Sequence, residues 1–122
     1  MEVTLTLPFP PSVNHYWRHH VIGGRARVYI SEEGKEFRRS VFVLARGVET
    51  MTGRVAVTVT LHAPDKRARD IDNYDGKALF DALTHAGVWK DDNQIDERHT
   101  FRGQPVAGGK CVVQIREIEG EK

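Results

Sequence analysis

Residues 54–63 constrain the fold more than any other part of this 122-residue chain. Apolar side chains stand at positions 55, 57, 59 and 61, and Thr58, Thr60 and His62 lie between or after them. A period of two is typical of a strand with one buried and one exposed face. Pro64 ends the run, because proline has no backbone N–H for a sheet ladder. The chain must therefore build a sheet and cover one of its faces.

Two other segments have the spacing of amphipathic helices. Ser31 is a good N-cap residue with acidic residues after it, and apolar residues follow at positions 37, 41, 44 and 45 before Gly47. The second segment, near residues 73–86, has apolar residues at positions 78, 79, 82, 83 and 86 and stops at Gly87. Each helix is expected to bury one face.

The remaining segments complete a predicted order of β-β-α-β-α-β-β. Residues 3–7 alternate like a half-buried strand, residues 12–24 indicate a loop, and residues 25–30, 95–102 and 110–118 indicate strands. The glycine-rich link at 103–109 favours a hairpin between the last two strands. We expect an α+β fold, a single mixed sheet of about four or five strands with two helices packed on one face. It would form one domain over residues 1–122.

Composition excludes several classes of protein. The single cysteine, Cys111, cannot form an intrachain disulfide, and no clustered Cys/His pairs indicate a zinc module. No run approaches the roughly 18 apolar residues of a membrane-spanning helix. The first residues lack the basic-then-apolar pattern of a secretory signal. We expect a cytoplasmic protein without a membrane partner.

The net charge of +1 hides an asymmetry along the chain. Taken alone, a sum so near zero argues against a nucleic-acid protein. Residues 1–69 carry 11 Lys and Arg against 6 Asp and Glu, a balance of +5, and residues 70–122 carry 7 against 11, a balance of −4. All seven acidic residues between positions 70 and 96 are Asp, a good ligand for hard metal ions. This distribution indicates a basic surface beside an acidic pocket.

The segment KRARDIDN, residues 66–73, places three cations directly before two acids. In an extended chain, residues i and i+2 point to the same side, so Asp70 and Asp72 can present carboxylates to one Mg²⁺. Lys66, Arg67 and Arg69 would hold DNA phosphates. This combination serves phosphodiester hydrolysis, in which a metal ion activates water. The alternative is that Asp72 only caps the next helix while Asp70 is solvated.

A second acidic pair, Asp91-Asp92, follows Trp89. Adjacent acids repel each other, and a helix cap needs only one of them. An Asp-Asp-Asn sequence is, however, also common in ordinary loops. A helix of about 14 residues is roughly 21 Å long. The five residues after Gly87 reach back at most about 17 Å. The two acidic clusters therefore meet only if the loop doubles back, the helix is short, or a second subunit contributes.

Lys77 lies in the first turns of the second predicted helix. There it can stabilise negative charge on a phosphate. The alternative is a solvated lysine paired with Asp81 at i+4.

The segment of residues 14–20 interleaves aromatic, amide and basic side chains. This composition suits stacking on unpaired bases and bonding to phosphates. Asn14, Tyr16 and Arg18 are therefore candidate DNA contacts. The alternative for Tyr16 or Trp17 is an anchor on the core. The two adjacent histidines of the segment do not indicate zinc, since neighbours in sequence rarely share one ion.

Together these segments resemble the RusA family of Holliday junction resolvases, small endonucleases of bacteria and their phages. The matching pieces occur in order along nearly the whole chain: LPFPPSVNHYWR, PDKRARDIDN, KALFDALTHAGVW and KDDNQI. The resemblance implies a metal-dependent homodimer that cuts four-way DNA junctions by paired hydrolysis in recombination and repair. A two-fold dimer presents two identical sites, which matches the symmetry of the junction.

The resemblance also implies roles for particular residues. The first two catalytic aspartates of the family fall on Asp70 and Asp72, and the third falls on Asp92 with Asp91 in support. The implied cofactor is Mg²⁺, with Mn²⁺ as a substitute. The essential lysine falls on Lys77, but the stretch before it is one residue longer than the family spacing. One helical residue turns a side chain by about 100°, so either the helix begins later or Lys77 points differently.

Two other functions stay open at this point. One is a branched-DNA-binding module that grips without cutting, which explains the cations but leaves the aspartates unused. The other is a nuclease for a different substrate, such as a flap or RNA.

Overall fold

The computed structural model describes residues 1–74 and 76–118. Its strands are β1 (Glu2–Leu7), β2 (Trp17–Ile22), β3 (Arg25–Ile30), β4 (Val55–His62), β5 (Ile95–Arg102) and β6 (Lys110–Glu117). Its α-helices are α1 (Val13–Tyr16), α2 (Glu32–Leu44) and α3 (Lys77–His85), and residues 71–73 and 92–94 form single 3₁₀ turns. None of the helices described is long and apolar enough to cross a bilayer.

The main sheet has four strands in the order β1-β6-β4-β5. Strand β6 pairs antiparallel with β1 and with β4, whereas β5 runs parallel to β4. A parallel pair needs a crossover connection, and α3 supplies it. The alternating residues of β4 at 55, 57, 59 and 61 are buried in one continuous core with the apolar faces of α2 and α3. The prediction of an α+β fold with a mixed sheet is confirmed.

The predicted hairpin between β5 and β6 is wrong, because β4 lies between them. The link at 103–109 crosses the end of β4. The N–H of Gly103 donates to the carbonyl of Leu61 at 2.8 Å, and that of Val106 donates to Ala63 at 2.9 Å. Turn residues specify that a chain reverses, but not which strand it joins. The valine-rich β4 takes the central position, where pairing on both edges matches its burial.

The loop predicted at 12–24 is also wrong. It folds into α1 and β2, and β2 pairs antiparallel with β3 in a separate two-stranded sheet. The turn is formed by Gly23 and Gly24, whose φ angles of 57° and 79° suit a type I′ turn. Both strands are largely exposed. The turn therefore sets their register, and the periodic burial that identifies a strand in sequence is weak.

Helix α3 is shorter than expected. Residues 71–73 form a 3₁₀ turn, Asp75 lies outside the described residues, and the α-helix begins only at Lys77. Its nine residues span about 13 Å. Gly87 stops it with a φ of 83°. This shorter helix reduces the distance between the two acidic segments that flank it.

Gly34 marks the closest approach between α2 and the segment before β2. A Cβ there would lie 2.7 Å from Ile30 Cγ2 and 2.8 Å from the carbonyl oxygen of Tyr16.

Alanine is the better helix former by about 1 kcal/mol, but overpacking at position 34 would cost about 1–3 kcal/mol. We expect Gly34→Ala to lower the Tm in thermal unfolding. The control is Gly53→Ala, whose Cβ meets nothing closer than 3.7 Å. Equal stability of Gly34→Ala and wild type would contradict this packing.

Candidate active site

An open groove of about 940 Å³ runs along one face of α3. The helix contributes Lys77, Phe80, Asp81 and Thr84, whose spacing of three and four residues places them on one side. Acidic and basic side chains from the flanking segments complete the lining: Asp72, Asp91, Asp92, Lys90 and Arg98. The groove thus gathers carboxylates and cations from both sides of α3 in the sequence.

Asp72 lies in the 3₁₀ turn just ahead of α3 and is exposed. Its carboxylate has no hydrogen bond or ion pair within the described residues. The alternative that Asp72 caps α3 is wrong, since the N-cap is Gly76 and no side chain bonds there. Asp72 therefore keeps its oxygens available to a ligand in the groove.

Asp70 does not line the groove. It is exposed and borders a separate small cavity with Phe9 and Tyr74. The expectation that Asp70 and Asp72 point to one side assumed an extended chain, but residues 71–73 coil at about 120° per residue. The two acids thus line different cavities, and Asp70 stays a predicted ligand only.

Asp91 and Asp92 occupy different positions in the turn that follows α3. Asp91 is the N-cap of the 3₁₀ turn, and its Oδ1 accepts a hydrogen bond from the Asn93 N–H at 3.0 Å. Asp92 is exposed, and within the described residues its carboxylate has no partner. The Asp92 carboxylate is thus the more available of the two to a metal ion, and Asp91 stabilises the turn that carries Asp92.

Gln94 fixes this turn, and the sequence prediction missed it. Its Nε2 donates to the carbonyls of Met51 and Gly53, both at 2.9 Å. Its Oε1 accepts from the N–H groups of Lys90 and Asp91 at 2.9 and 3.1 Å. The side chain is buried, so these bonds tie the acidic turn to the segment that precedes β4. The Asp-x-x-Gln spacing of a capping box was the available signal.

The donor chemistry of the groove fits Mg²⁺, although the described residues do not form a complete metal site. In the described part of the chain, no three or more Asp, Glu, His or Cys side chains are gathered closely enough to hold an ion. The exposed carboxylates of Asp72 and Asp92 are the hard oxygen ligands that Mg²⁺ prefers. Because Mg²⁺ keeps several waters, one or two protein carboxylates suffice.

Lys77 is the first residue of α3 and is exposed in the groove. The alternative pairing with Asp81 is not formed, and no other described residue makes an ion pair with Lys77. Helix α3 begins at Lys77 itself, later than the start predicted near residue 73. The ammonium group is therefore available to a bound anion.

Tyr16 is buried, which corrects its prediction as a DNA contact. Its hydroxyl donates a short hydrogen bond to Asp81 Oδ2. Arg38 donates to the same oxygen from Nε at 3.2 Å and Nη2 at 2.9 Å. Burial raises the pKa of Tyr16 well above its usual range, and the bond to Asp81 adds to this shift. Tyr16 thus ties the base of the β2–β3 hairpin to α2 and α3, beneath the groove.

The predicted DNA-binding cations of the 66–69 segment divide into two kinds. Lys66 and Arg67 are exposed. Arg69 is only 13% exposed and binds Asp65 Oδ1 at 2.8 Å, with its guanidinium 5.9 Å from the Phe9 ring centre. This hydrogen bond is the main reason that the pKa of Asp65 falls to about 2. Arg69 is thus held in place by Asp65, and its role as a DNA contact stays a prediction.

Asn14 and Arg18, the other predicted DNA contacts, are exposed. Asn14 lies in α1, and Arg18 lies on β2 opposite Tyr29. Arg25 and Arg27 lie on the same face of the hairpin as Arg18. The structure leaves these side chains accessible to a polyanion.

Free carboxylates beside cations in one groove define a class of enzyme that acts on phosphodiesters. The family model described as "Endodeoxyribonuclease RusA" matches residues 8–116. The chain is 39% identical to the crossover junction endodeoxyribonuclease RusA of Enterobacteria phage 82, over 96% of each chain. It is 37% identical to those of Enterobacteria phage HK97 and Escherichia coli strain K12, over 97% of each chain. The chain belongs to the RusA family of endodeoxyribonucleases, as the sequence resemblance predicted.

Removing the Tyr16 hydroxyl should change the pH dependence of stability. The pKa of Tyr16 is higher in the folded than in the unfolded chain, so its neutral hydroxyl stabilises the fold at any pH below the ordinary tyrosine pKa near 10. That contribution is lost as the pH rises above this value, because the unfolded chain ionises first. We expect Tyr16→Phe to have a lower Tm than wild type at about pH 8. The difference in Tm between the two proteins should become smaller above about pH 10. The exposed Tyr29 supplies the control, Tyr29→Phe. A gap that stays constant would contradict a buried neutral hydroxyl.

Replacing Gln94 should loosen the acidic turn. In Gln94→Glu the side chain can no longer donate to the carbonyls of Met51 and Gly53, and leaving the buried Met51 carbonyl unpaired costs about 1–3 kcal/mol. We expect a lower Tm and faster amide hydrogen exchange at residues 90–93. Asn93→Ala is the matched control, because the Asn93 side chain is exposed and makes no bond within the described residues. Unchanged exchange in Gln94→Glu would show that the turn does not depend on this side chain.

Proposed function

We propose that this protein is a Mg²⁺-dependent endodeoxyribonuclease that resolves Holliday junctions by hydrolysing paired phosphodiester bonds. The groove along α3 carries the proposal, because Asp72, Asp92 and Lys77 line it together. The family match and the relatives named crossover junction endodeoxyribonucleases support a branched DNA substrate. The work of such an enzyme lies in DNA recombination and repair.

The ligands we assign to the ion are Asp72 and Asp92, with Asp91 holding the turn. Asp70 joins them only if the 3₁₀ turn at 71–73 rearranges on binding. Bound Mg²⁺, or Mn²⁺ in its place, supplies an activated water and neutralises charge on the attacked phosphate. Lys77 then acts from the start of α3, where its ammonium contacts a phosphate oxygen and stabilises the negative charge that develops there.

The exposed cations outside the groove hold the DNA backbone. Lys66 and Arg67 lie on the segment before Asp72, and Arg18 lies on the hairpin. Contacts of this kind position the duplex without reading its sequence, and their strength falls steeply with salt. Asn14 has an uncharged amide suited to a more specific contact.

A homodimer is the assembly that fits the substrate. A four-way junction has two-fold symmetry, and an isologous dimer would offer one groove to each of two equivalent strands. The second face of the main sheet supports this proposal, because no described element covers it and Phe101 on it is 57% exposed. We place the enzyme in the cytoplasm of a bacterial cell, encoded by a phage, prophage or chromosome, as the origins of its relatives indicate.

The test is nicking of a labelled four-way junction in the presence of Mg²⁺. We expect wild type to nick two strands symmetrically. Asp72→Asn and Asp92→Asn should bind the junction but nick it at least about 100-fold more slowly, since even residues behind metal ligands contribute about 10–100-fold. Asp96→Asn is the matched control, because Asp96 pairs with Arg54 at 2.6 Å and does not line the groove.

Each contrary result identifies a different error. If Asp92→Asn nicks as fast as wild type, the metal-site assignment is wrong. If wild type binds the junction but never nicks it with Mg²⁺ or Mn²⁺, the protein is a binding module. If a flap or RNA is cut in preference to the junction, the proposed substrate is wrong.

A further inference from the structure

We propose that an apolar slot beside the groove receives one unpaired nucleobase of the DNA and reads its edge. The inference rests on the proposed function, because its occupant belongs to the DNA that the groove would hold. The slot has a volume of about 380 Å³ and is lined by Val13, Asn14, Trp17, His19, Val28 and Lys77.

The slot exists because the β2–β3 hairpin has two unlike faces. Side chains alternate along each strand, so cross-strand partners share a face. One face carries mostly apolar pairs: Trp17–Ile30, His19–Val28 and Val21–Ala26. The other face carries the cations Arg18, Arg25 and Arg27. The apolar face borders α3 at Lys77, yet Val28 remains 58% exposed. An apolar surface within a basic hairpin favours a ligand that is flat, apolar and attached to phosphate.

The lining residues match the chemistry of a nucleobase. Trp17 is half-buried, with its ring packed edge-on against Tyr16 at 5.0 Å, and offers an aromatic surface for stacking. Asn14 is exposed, and its amide makes no hydrogen bond within the described residues, so its donor and acceptor are both available to a base edge. The imidazole of His19 offers a further polar group.

The slot is continuous with the groove. Val13, Trp17 and Lys77 line both cavities. A base in the slot would therefore belong to a nucleotide close to the phosphate that Lys77 contacts. Bases in an intact duplex are stacked and paired, and extruding one costs a few kcal/mol, least where the base is already unpaired. The slot thus favours positions where the junction exposes a base, and it discriminates among bases there.

Tryptophan fluorescence tests occupancy of the slot without cleavage. The chain has two tryptophans, and Trp89 is buried with its Nε1 bonded to Thr84 Oγ1 at 2.7 Å. With EDTA present, a short single-stranded oligonucleotide should quench wild-type emission, whereas a blunt duplex of the same sequence should not. Trp17→Phe keeps an aromatic ring against Tyr16 but should lose the quenching. No quenching, or equal quenching by the duplex, would overturn the proposal.

A cleavage map tests whether the slot discriminates. On junctions that differ only in the bases at the branch point, Asn14→Ala and His19→Ala should change the ratio of nicks between positions by at least about fivefold, the effect of one lost base contact. His20→Ala is the matched control, because it removes the neighbouring histidine from the opposite face. If the ratio of nicks between positions is the same in wild type and in both slot variants, the claim that the slot discriminates among bases is wrong. If wild type nicks no junction, the proposed function fails, and the fluorescence result still decides the slot.

Discussion

The packing of α3 against β4 is the constraint on which the groove depends. Leu79 and Leu83 are fully buried, in the same hydrophobic core as the odd-numbered valines of β4. An α-helix that buries one side must present the other, and that side is the floor of the groove. The same helix joins two parallel strands, so the segments at its two ends are fixed by the sheet. The acidic residues are carried by those two segments, which is why a nine-residue helix organises the whole site.

Hydrogen bonds to backbone groups position the two acidic segments and leave the Asp72 and Asp92 carboxylates without a partner among the described residues. Gln94 bonds four backbone groups around the turn that carries Asp92, and Trp89 anchors the chain just before it. On the other side, Arg102 donates to the carbonyl of Arg69 at 2.9 Å, close to the turn that carries Asp72. Ion pairs at these positions would have neutralised the carboxylates. Positioning through backbone groups leaves the negative charge of both carboxylates in place.

The elements with a strong hydrophobic periodicity were predictable from the sequence. Elements whose position depends on contacts between residues distant in sequence were not. Residues 54–63 and the helix after Ser31 were predictable because each element buries residues at the spacing of one face. Strand β3 was predicted, but β2 and its pairing with β3 were missed, because most side chains of this hairpin are exposed and its glycine turn sets the register. Within the site, the free acids of the groove were found from residue type. Tyr16 was misassigned because its burial and its bond to Asp81 come from contacts distant in sequence.

The central claim is that one cation binds in the groove between the segments that flank α3. Paramagnetic broadening by Mn²⁺ tests it most directly, because the loss of amide signals in an NMR spectrum reports distance from the ion residue by residue. The account predicts that substoichiometric Mn²⁺ first broadens the amides around Asp72, Lys77 and Asp92, and that excess Mg²⁺ restores them. Broadening centred instead on acids of the sheet, such as Glu97 on β5 or Glu117 on β6, would contradict it.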